Sequence, residues 1–165
     1  MSDIDIGLAK TARRSFGLHE LSLVPQRRTR EADLVDLSWK IDAYEFSVPI
    51  LGAAMDSVIS PSTAVALDQL GGLGVLDLEG LWTRHGDADA KLARLAGADG
   101  TQVLASLREW YRAPVDPDLV TQRIAELKAA GGYAAGAVSP RDVGALAPTL
   151  LQAGLDLLVI DGTVI

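Results

Sequence analysis

The residues with chemical potential in this chain are few, and they stand where apolar runs break off. The run VPILGAA, residues 48 to 54, gives way to Met55 and Asp56 ahead of a Ser-Pro helix start, and the segment LDLLVID at 155 to 161 closes on Asp161. Strand ends that open into loops are where barrel enzymes keep their chemistry, although most strand ends are simply turns. Other candidates are weaker. His19 and His85 are isolated and read as structural or solvent-facing. The pairs Asp87/Asp89 and Asp116/Asp118 have a spacing that suggests a metal. Each pair falls at a predicted helix start, however, where carboxylates satisfy free N–H groups, so no metal site is assigned. There is no cysteine, which removes disulfides and one nucleophile and fits a reducing cytosol.

Phosphate-loop, nucleophile-elbow and zinc-helix patterns are absent. The GGLG at 71 to 74 follows a helix and leads into a strand, the reverse of the order that aims a helix N-terminus at a dinucleotide pyrophosphate. A doubly wound nucleotide-binding sheet therefore loses weight.

The elements that would position Met55 and Asp161 can be read from texture. Residues 1 to 20 show no sustained period and read as an arm that packs only in part. LSLVP (21 to 25) and IDAYEFSVP (41 to 49) look like short peripheral strands stopped by prolines. From residue 48 the pattern changes to buried strands, continuously apolar, at 48 to 54, 72 to 78, 133 to 138 and 155 to 161. Helices are predicted from Ser60-Pro61 to about Leu70, from Asp87 to about Ala96, from Thr101 to Tyr111, from Asp116 to the Gly131-Gly132 pair, and from about Arg141 to Ala153. Strands alternating with helices mean right-handed βαβ units and a parallel sheet. The expected division is 1–47 as arm and peripheral strands and 48–165 as a partial α/β barrel.

Composition agrees with that class. Hydrophobic residues make up 48% of the 165 and aromatics 5%, so the core must be aliphatic. A net charge of −7 argues against nucleic acid as a partner. The charge is uneven: residues 1 to 30 hold six Lys and Arg against three Asp and Glu, a +3 head that leaves −10 for the remainder. No leader pattern opens the chain and no apolar run approaches the roughly 18 residues of a membrane span, so a soluble cytoplasmic protein is expected.

The segment PILGAAMDSVISPSTAVALDQLGGLGVL resembles the first βαβ unit of the IMP dehydrogenase/GMP reductase family: a proline-led strand, Ala/Pro-Met-Asp-[ST]-Val, a helix, then Gly-Gly-[IL]-Gly. LHELSLVPQRRTR is similar to the family's N-terminal segment and LQAGLDLLVIDG to its fourth barrel strand. LEGLWTRHGDAD and YRAPVDPDLVTQRIAELKAAGG are most similar to the branch without the inserted CBS domain pair, for which the 55 or so residues between strand two and the helix before strand three leave no room.

The resemblance implies the N-terminal half of a (β/α)8 TIM barrel with its site on the C-terminal strand ends. It places Met55 beside a purine nucleotide, IMP or GMP, where a polarizable thioether suits a flat heterocycle; a Met plugging the barrel mouth is the alternative. It makes Asp161 the acceptor for the nicotinamide ribose hydroxyls of NAD, or of NADP in a GMP reductase, with Gly162 and Thr163 lining that pocket; a strand-end Asp capping a turn is the alternative. Ala53 stands where many members carry a nucleotide-holding Ser, so one hydrogen bond is missing. Asp56 matches the motif and is expected only to order the turn.

Catalysis in the family runs through a cysteine thiolate and a mobile flap, neither of which these residues supply. The expectation is accordingly a truncated or split IMP dehydrogenase-type oxidoreductase of guanine nucleotide biosynthesis, inactive alone, in a homo-oligomer (a tetramer in the family) or joined to a complementary C-terminal half. The rivals are a non-catalytic half-barrel that serves interaction or oligomerisation, and another phosphate-handling barrel such as a sugar-phosphate isomerase.

Overall fold

The computed structural model describes residues 4–24 and 31–162. The chain divides into two units, Met1–Asp36 and Leu37–Ile165. In the first, β1 (Ile4–Gly7) pairs antiparallel with β2 (Lys10–Ala12) across a turn in which Ala9 takes a left-handed φ of 58°. Neither strand is buried, and Leu8 at the tip is fully exposed. The Glu20 carboxylate ties the next turn, accepting from the Gly17 N–H (2.9 Å) and pairing with Arg14 (3.2 Å). The strand expected at 21 to 25 does not form over its described part. Residues 21 to 24 join no sheet among the described residues, and Leu21, Leu23 and Val24 are exposed, so this part of the apolar run is irregular.

In the second unit the expected single strand over 41 to 49 is a hairpin instead. β3 (Trp39–Ile41) and β4 (Tyr44–Phe46) are antiparallel, with Lys40 opposite Glu45. The fold-back occurs because Asp42 adopts a φ of 50°, a conformation that its short polar side chain tolerates better than most.

Then comes the alternation predicted from sequence: β5 (Leu51–Gly52), α1 (Pro61–Gln69), β6 (Leu73–Asp77), α2 (Ala88–Leu95), α3 (Gly100–Trp110), α4 (Pro117–Ala129), β7 (Ala135–Val138), α5 (Val143–Ala153) and β8 (Leu157–Ile160). The last four strands form one parallel sheet in the order β5-β6-β7-β8, the arrangement of half a (β/α)8 barrel preceded by short strands.

Local chemistry accounts for the boundaries. The Ser60 hydroxyl accepts from the Thr63 N–H (3.1 Å) while the Thr63 hydroxyl accepts from the Ser60 N–H (2.6 Å), a reciprocal cap with Pro61 in the first turn. Gly71, at φ 87°, ends α1 in a conformation that a side chain resists. Gly74 is needed for a different reason: a Cβ there would lie 2.4 Å from the Ala64 Cα, so α1 rests directly on the β6 backbone. Asp116 caps α4 through the Asp118 N–H (2.9 Å), as expected. Asp87 departs from expectation. It makes no cap hydrogen bond and instead pairs with Lys91 (3.5 Å) one turn along α2.

The sheet is covered on both faces. On one, Leu76, Leu78 and Val138 pack among Ala64, Val120, Ile124, Leu127 and Leu150 of the helices. On the other, Leu73, Val75, Ala135 and Ala137 meet the β3–β4 hairpin. Phe46 stacks on Trp39 (4.8 Å between centroids) and meets Tyr133 edge-on (5.3 Å), and the Trp39 indole donates to the Val48 carbonyl (2.8 Å). Tyr133 and Val48 just precede β7 and β5, so these aromatics close the N-terminal end of the inner face. The outer strands are less covered: Leu51 is 50% exposed and Ile160 58%. Among the described residues no helix is long and apolar enough to cross a membrane.

The long connection from β6 to α4 is closed at its base. The buried Thr83 hydroxyl donates to the Leu78 carbonyl (2.9 Å) and the Gly80 carbonyl (3.2 Å), and the Thr83 carbonyl accepts from the Asp116 N–H (2.8 Å).

Candidate functional site

Because the four strands are parallel, their C-terminal ends share one rim, and the chain leaves each end with a polar group. After β5 the Met55 carbonyl accepts from the N–H groups of Val58 (2.8 Å) and Ile59 (2.9 Å), turning the chain into the Ser60 cap. β6 ends in Asp77, followed by Glu79. β7 is followed by Ser139. After β8 the Asp161 N–H still donates to the Val138 carbonyl (3.1 Å), so Asp161 leaves the sheet in register with β7.

These ends enclose an open cavity of about 260 Å³ lined by Ala54, Asp77, Glu79, Ala137, Val138, Ser139 and Asp161. Its floor is organised by carboxylates. Asp77 accepts from the Glu79 N–H (2.8 Å), and Glu79 accepts from both the N–H and the hydroxyl of Ser139, the latter at 3.1 Å. Burial is the main cause that pushes the Asp77 carboxyl up to about 6; the Glu79 N–H opposes it, and the neighbouring Asp56 and Glu79 charges add to it. Near pH 6 Asp77 is thus divided between hydrogen-bond acceptor and protonated donor. The carboxylates of this rim suit hydroxyl and N–H groups. Among the described residues no three His, Asp or Glu side chains are grouped to hold a metal ion.

A second space, of about 460 Å³, lies on the other side of Ala54 and Asp77, against Met55, Leu81 and the helices α2 and α3. Asp56 stands at its edge and binds three segments together. Its Oδ2 accepts from the Leu81 N–H (2.8 Å) and from the Tyr111 hydroxyl. Burial, followed by the bond to Asp56, holds the Tyr111 phenol well above its ordinary range. Arg84 locks the same corner, donating through Nε to the Glu79 carbonyl (2.8 Å) and through Nη1 to the Ala113 carbonyl.

The sequence candidates are distributed unevenly over this rim. Asp161 lines the smaller cavity. Met55, 49% exposed, lines the larger one. The two open on the same end of the sheet and share the Ala54–Asp77 wall. Ala53 is exposed, accepts from the Met55 N–H (2.8 Å) and lines neither space. Gly162 is exposed, and a Cβ there would lie 2.6 Å from Pro140 Cγ. Thr163 lies outside the described residues. His85 is structural, bonding through Nε2 to the Trp110 carbonyl (2.9 Å).

Sequence reasoning did not single out Asp77, Glu79, Ser139 or Tyr111. For the first three a signal was present, since each follows an apolar strand as Met55 and Asp161 do. Tyr111 had none, because its partner is Asp56, distant in sequence. Asp56 does more than order its own turn.

A family model described as IMP dehydrogenase / GMP reductase domain matches residues 15–164. Uncharacterized oxidoreductases of Mycobacterium tuberculosis and Mycolicibacterium smegmatis are 42% and 41% identical to the chain over 167 aligned residues, covering 98% of it and 44% of each relative. An inosine-5'-monophosphate dehydrogenase of Methanocaldococcus jannaschii is 35% identical over 65 residues, 39% of this chain and 13% of that protein. Among solved structures, an IMP dehydrogenase/GMP reductase-like protein from Corynebacterium glutamicum superimposes with a TM-score of 0.80 at 40% identity, covering 99% of this chain and 45% of its own. The chain thus spans less than half the length of these full-length relatives.

Proposed function

The chain belongs to the IMP dehydrogenase/GMP reductase family, and on that premise we propose that it carries the first half of the substrate and cofactor site of an NAD-dependent oxidoreductase that oxidises IMP. The observation that carries this reading is Asp161: a carboxylate fixed at the end of β8 by its ladder bond to Val138, facing a cavity already furnished with Asp77, Glu79 and Ser139. A charged acceptor in that position suits the adjacent hydroxyls of a ribose, which donate two hydrogen bonds to one carboxylate. When bound, the nicotinamide ring supplies the two-electron acceptor. Asp161 holds its ribose, the Glu79–Ser139 pair fixes the neighbouring strand end, and the Met55 thioether offers a polarizable surface to a purine. The half-buried Asp77 serves as acceptor or donor to a ring amide according to pH.

None of the 165 residues is a cysteine, so a thiolate step is not theirs to perform. The chain alone is expected to bind without turning over. One observation favours a second reading, a half-barrel that acts as an interaction module: the exposed Leu51, Leu158 and Ile160 on the outer strands, which a neighbouring strand or helix would cover.

Calorimetric titration of the chain with NAD and, separately, with IMP distinguishes the two. Nucleotide binding is expected, and Asp161→Ala should weaken NAD by about tenfold or more, the size of a lost charge-assisted hydrogen bond, while leaving IMP unchanged. Absence of any nucleotide binding, or an Asp161→Ala protein that holds NAD as well as the parent, would discard the oxidoreductase site in favour of the module.

A further inference from the structure

We infer that Tyr111 and Asp56 are positioning residues: their hydrogen bond holds the 53–58 loop so that the Met55 thioether faces the rim, and α3 thereby sets how well the chain takes a purine. The purine half of this inference rests on the function proposed above; the positioning half does not. Pairing of β5 ends at Gly52, and none of residues 53 to 58 is buried, so the sheet does not fix Met55. The far end of the loop is anchored by Ile59, 3% exposed, and by the Ser60 cap. Met55 bonds through its backbone to its own turn, its N–H donating to Ala53 and its carbonyl accepting from Val58 and Ile59.

The near end is tied to the rest of the molecule by the Asp56 side chain. Its Oδ2 accepts from the Leu81 N–H (2.8 Å) and from the hydroxyl of Tyr111, 55 residues further on. Tyr111 caps the C-terminus of α3 and is fixed from its other side, because the Arg84 guanidinium lies 5.7 Å from its ring centroid and bonds to the Glu79 and Ala113 carbonyls. Two further observations single out the carboxylate. Gly80 has an ordinary φ of −83°, yet a Cβ there would lie 2.3 Å from Asp56 Oδ1, so the glycine answers to the carboxylate and not to its own backbone. Asp56 Oδ1 is also buried and accepts no hydrogen bond among the described residues. A buried acceptor without a partner lowers stability, so packing alone does not favour this arrangement. What it secures is a bond from the end of α3 to the residue next to Met55, and a shift of α3 reaches Met55 through a single peptide unit.

The Met55 methyl reports the positioning, and calorimetric titration with IMP and NAD reports its consequence. The chain contains two methionines, Met1 and Met55, so in a ¹³C-methyl-labelled sample the Met55 resonance is identified by its loss in Met55→Leu. Tyr111→Phe removes the hydroxyl and keeps the ring, while Gly80→Ala displaces the carboxylate and serves alone if Tyr111→Phe does not fold. In both, the Met55 signal should move toward that of an unrestrained methionine and IMP affinity should fall about fivefold, the size of one net hydrogen bond, with NAD affinity within about twofold of the parent. Asp56→Asn keeps an acceptor for the Leu81 N–H and the Tyr111 hydroxyl and should match the parent in both readouts. Tyr44→Phe, which removes a phenol bonded to Asp156 at the other end of the sheet, should change neither. The inference is overturned if the Met55 signal does not move in Tyr111→Phe or Gly80→Ala, if it moves while IMP affinity holds, if IMP and NAD weaken together, or if Asp56→Asn behaves as the disrupted variants do. A parent chain that binds no IMP discards the purine reading instead, and the Met55 signal then decides by itself whether Tyr111 holds the loop.

Discussion

The two ends of the parallel sheet are built on opposite plans. At the N-terminal end Trp39, Phe46 and Tyr133 interlock, the Trp39 indole is satisfied by Val48, and Asp156 is held by the Ala134 N–H (2.9 Å) and by Lys128 (3.2 Å). At the C-terminal end Asp56, Asp77, Glu79 and Asp161 line two open spaces, and burial raises the affinity of one of them for protons. The same strands therefore supply cohesion at one end and unmet chemical demand at the other. Folding free energy gained among the aromatics offsets what crowding carboxylates costs at the rim, a division that lets the site vary without loss of the sheet.

Substitutions can break or sharpen that contrast. The largest effect should come from the aromatic end: Phe46→Ala, at a side chain only 3% exposed, should cost about 3–5 kcal/mol in urea unfolding. A value below 1 kcal/mol would mean the hairpin is ornamental. Next is Asp56→Ala, which strands the Leu81 N–H and the Tyr111 hydroxyl and should cost about 1–3 kcal/mol, with Tyr111→Phe near 1 kcal/mol in the same assay.

Asp77 should act in the opposite sense. Its folded value, about 6, lies above the ordinary 3.8, so the native state holds this proton more tightly than the unfolded chain. Its contribution to stability is complete below pH 3.8 and is lost as pH rises through 6. Asp77→Asn keeps an acceptor for the Glu79 N–H, so at pH 7 it should stabilise the protein by about 1–2 kcal/mol after allowance for solvent screening, a gain that vanishes near pH 4. A difference between the two proteins that is flat with pH would refute the assignment. The smallest effect belongs to Asp161→Ala, whose exposed side chain should change stability by less than about 0.5 kcal/mol. A larger loss would mark it as a structural residue.

Much of this architecture was legible in the sequence, because parallel strands buried on both faces are continuous apolar runs, and Ser60-Pro61, Gly71 and Asp116-Pro117 punctuate them as local energetics require. Apolar character alone misled at 21 to 24, which join no sheet among the described residues, and at 42, where one aspartate in a left-handed conformation turns an expected strand into a hairpin. The site was legible only as strand ends. Asp161 and Met55 stood out through similarity to a family, whereas the roles of Asp77 and Glu79 depend on how deeply the sheet buries them. The Asp56–Tyr111 bond joins residues whose approach is a product of tertiary packing and leaves no local trace.

The hydrogen bond from the Asp116 N–H to the Thr83 carbonyl brings together the two ends of everything between them, while Thr83 is held from below by Leu78 and Gly80. Residues 84 to 115 thus leave and re-enter the fold at one point, while Ala88 within them is buried in the core and Leu92, Leu107 and Trp110 pack against it. A change of length in this stretch is therefore felt at those packed side chains, while Thr83 and Asp116 keep its entry and exit together.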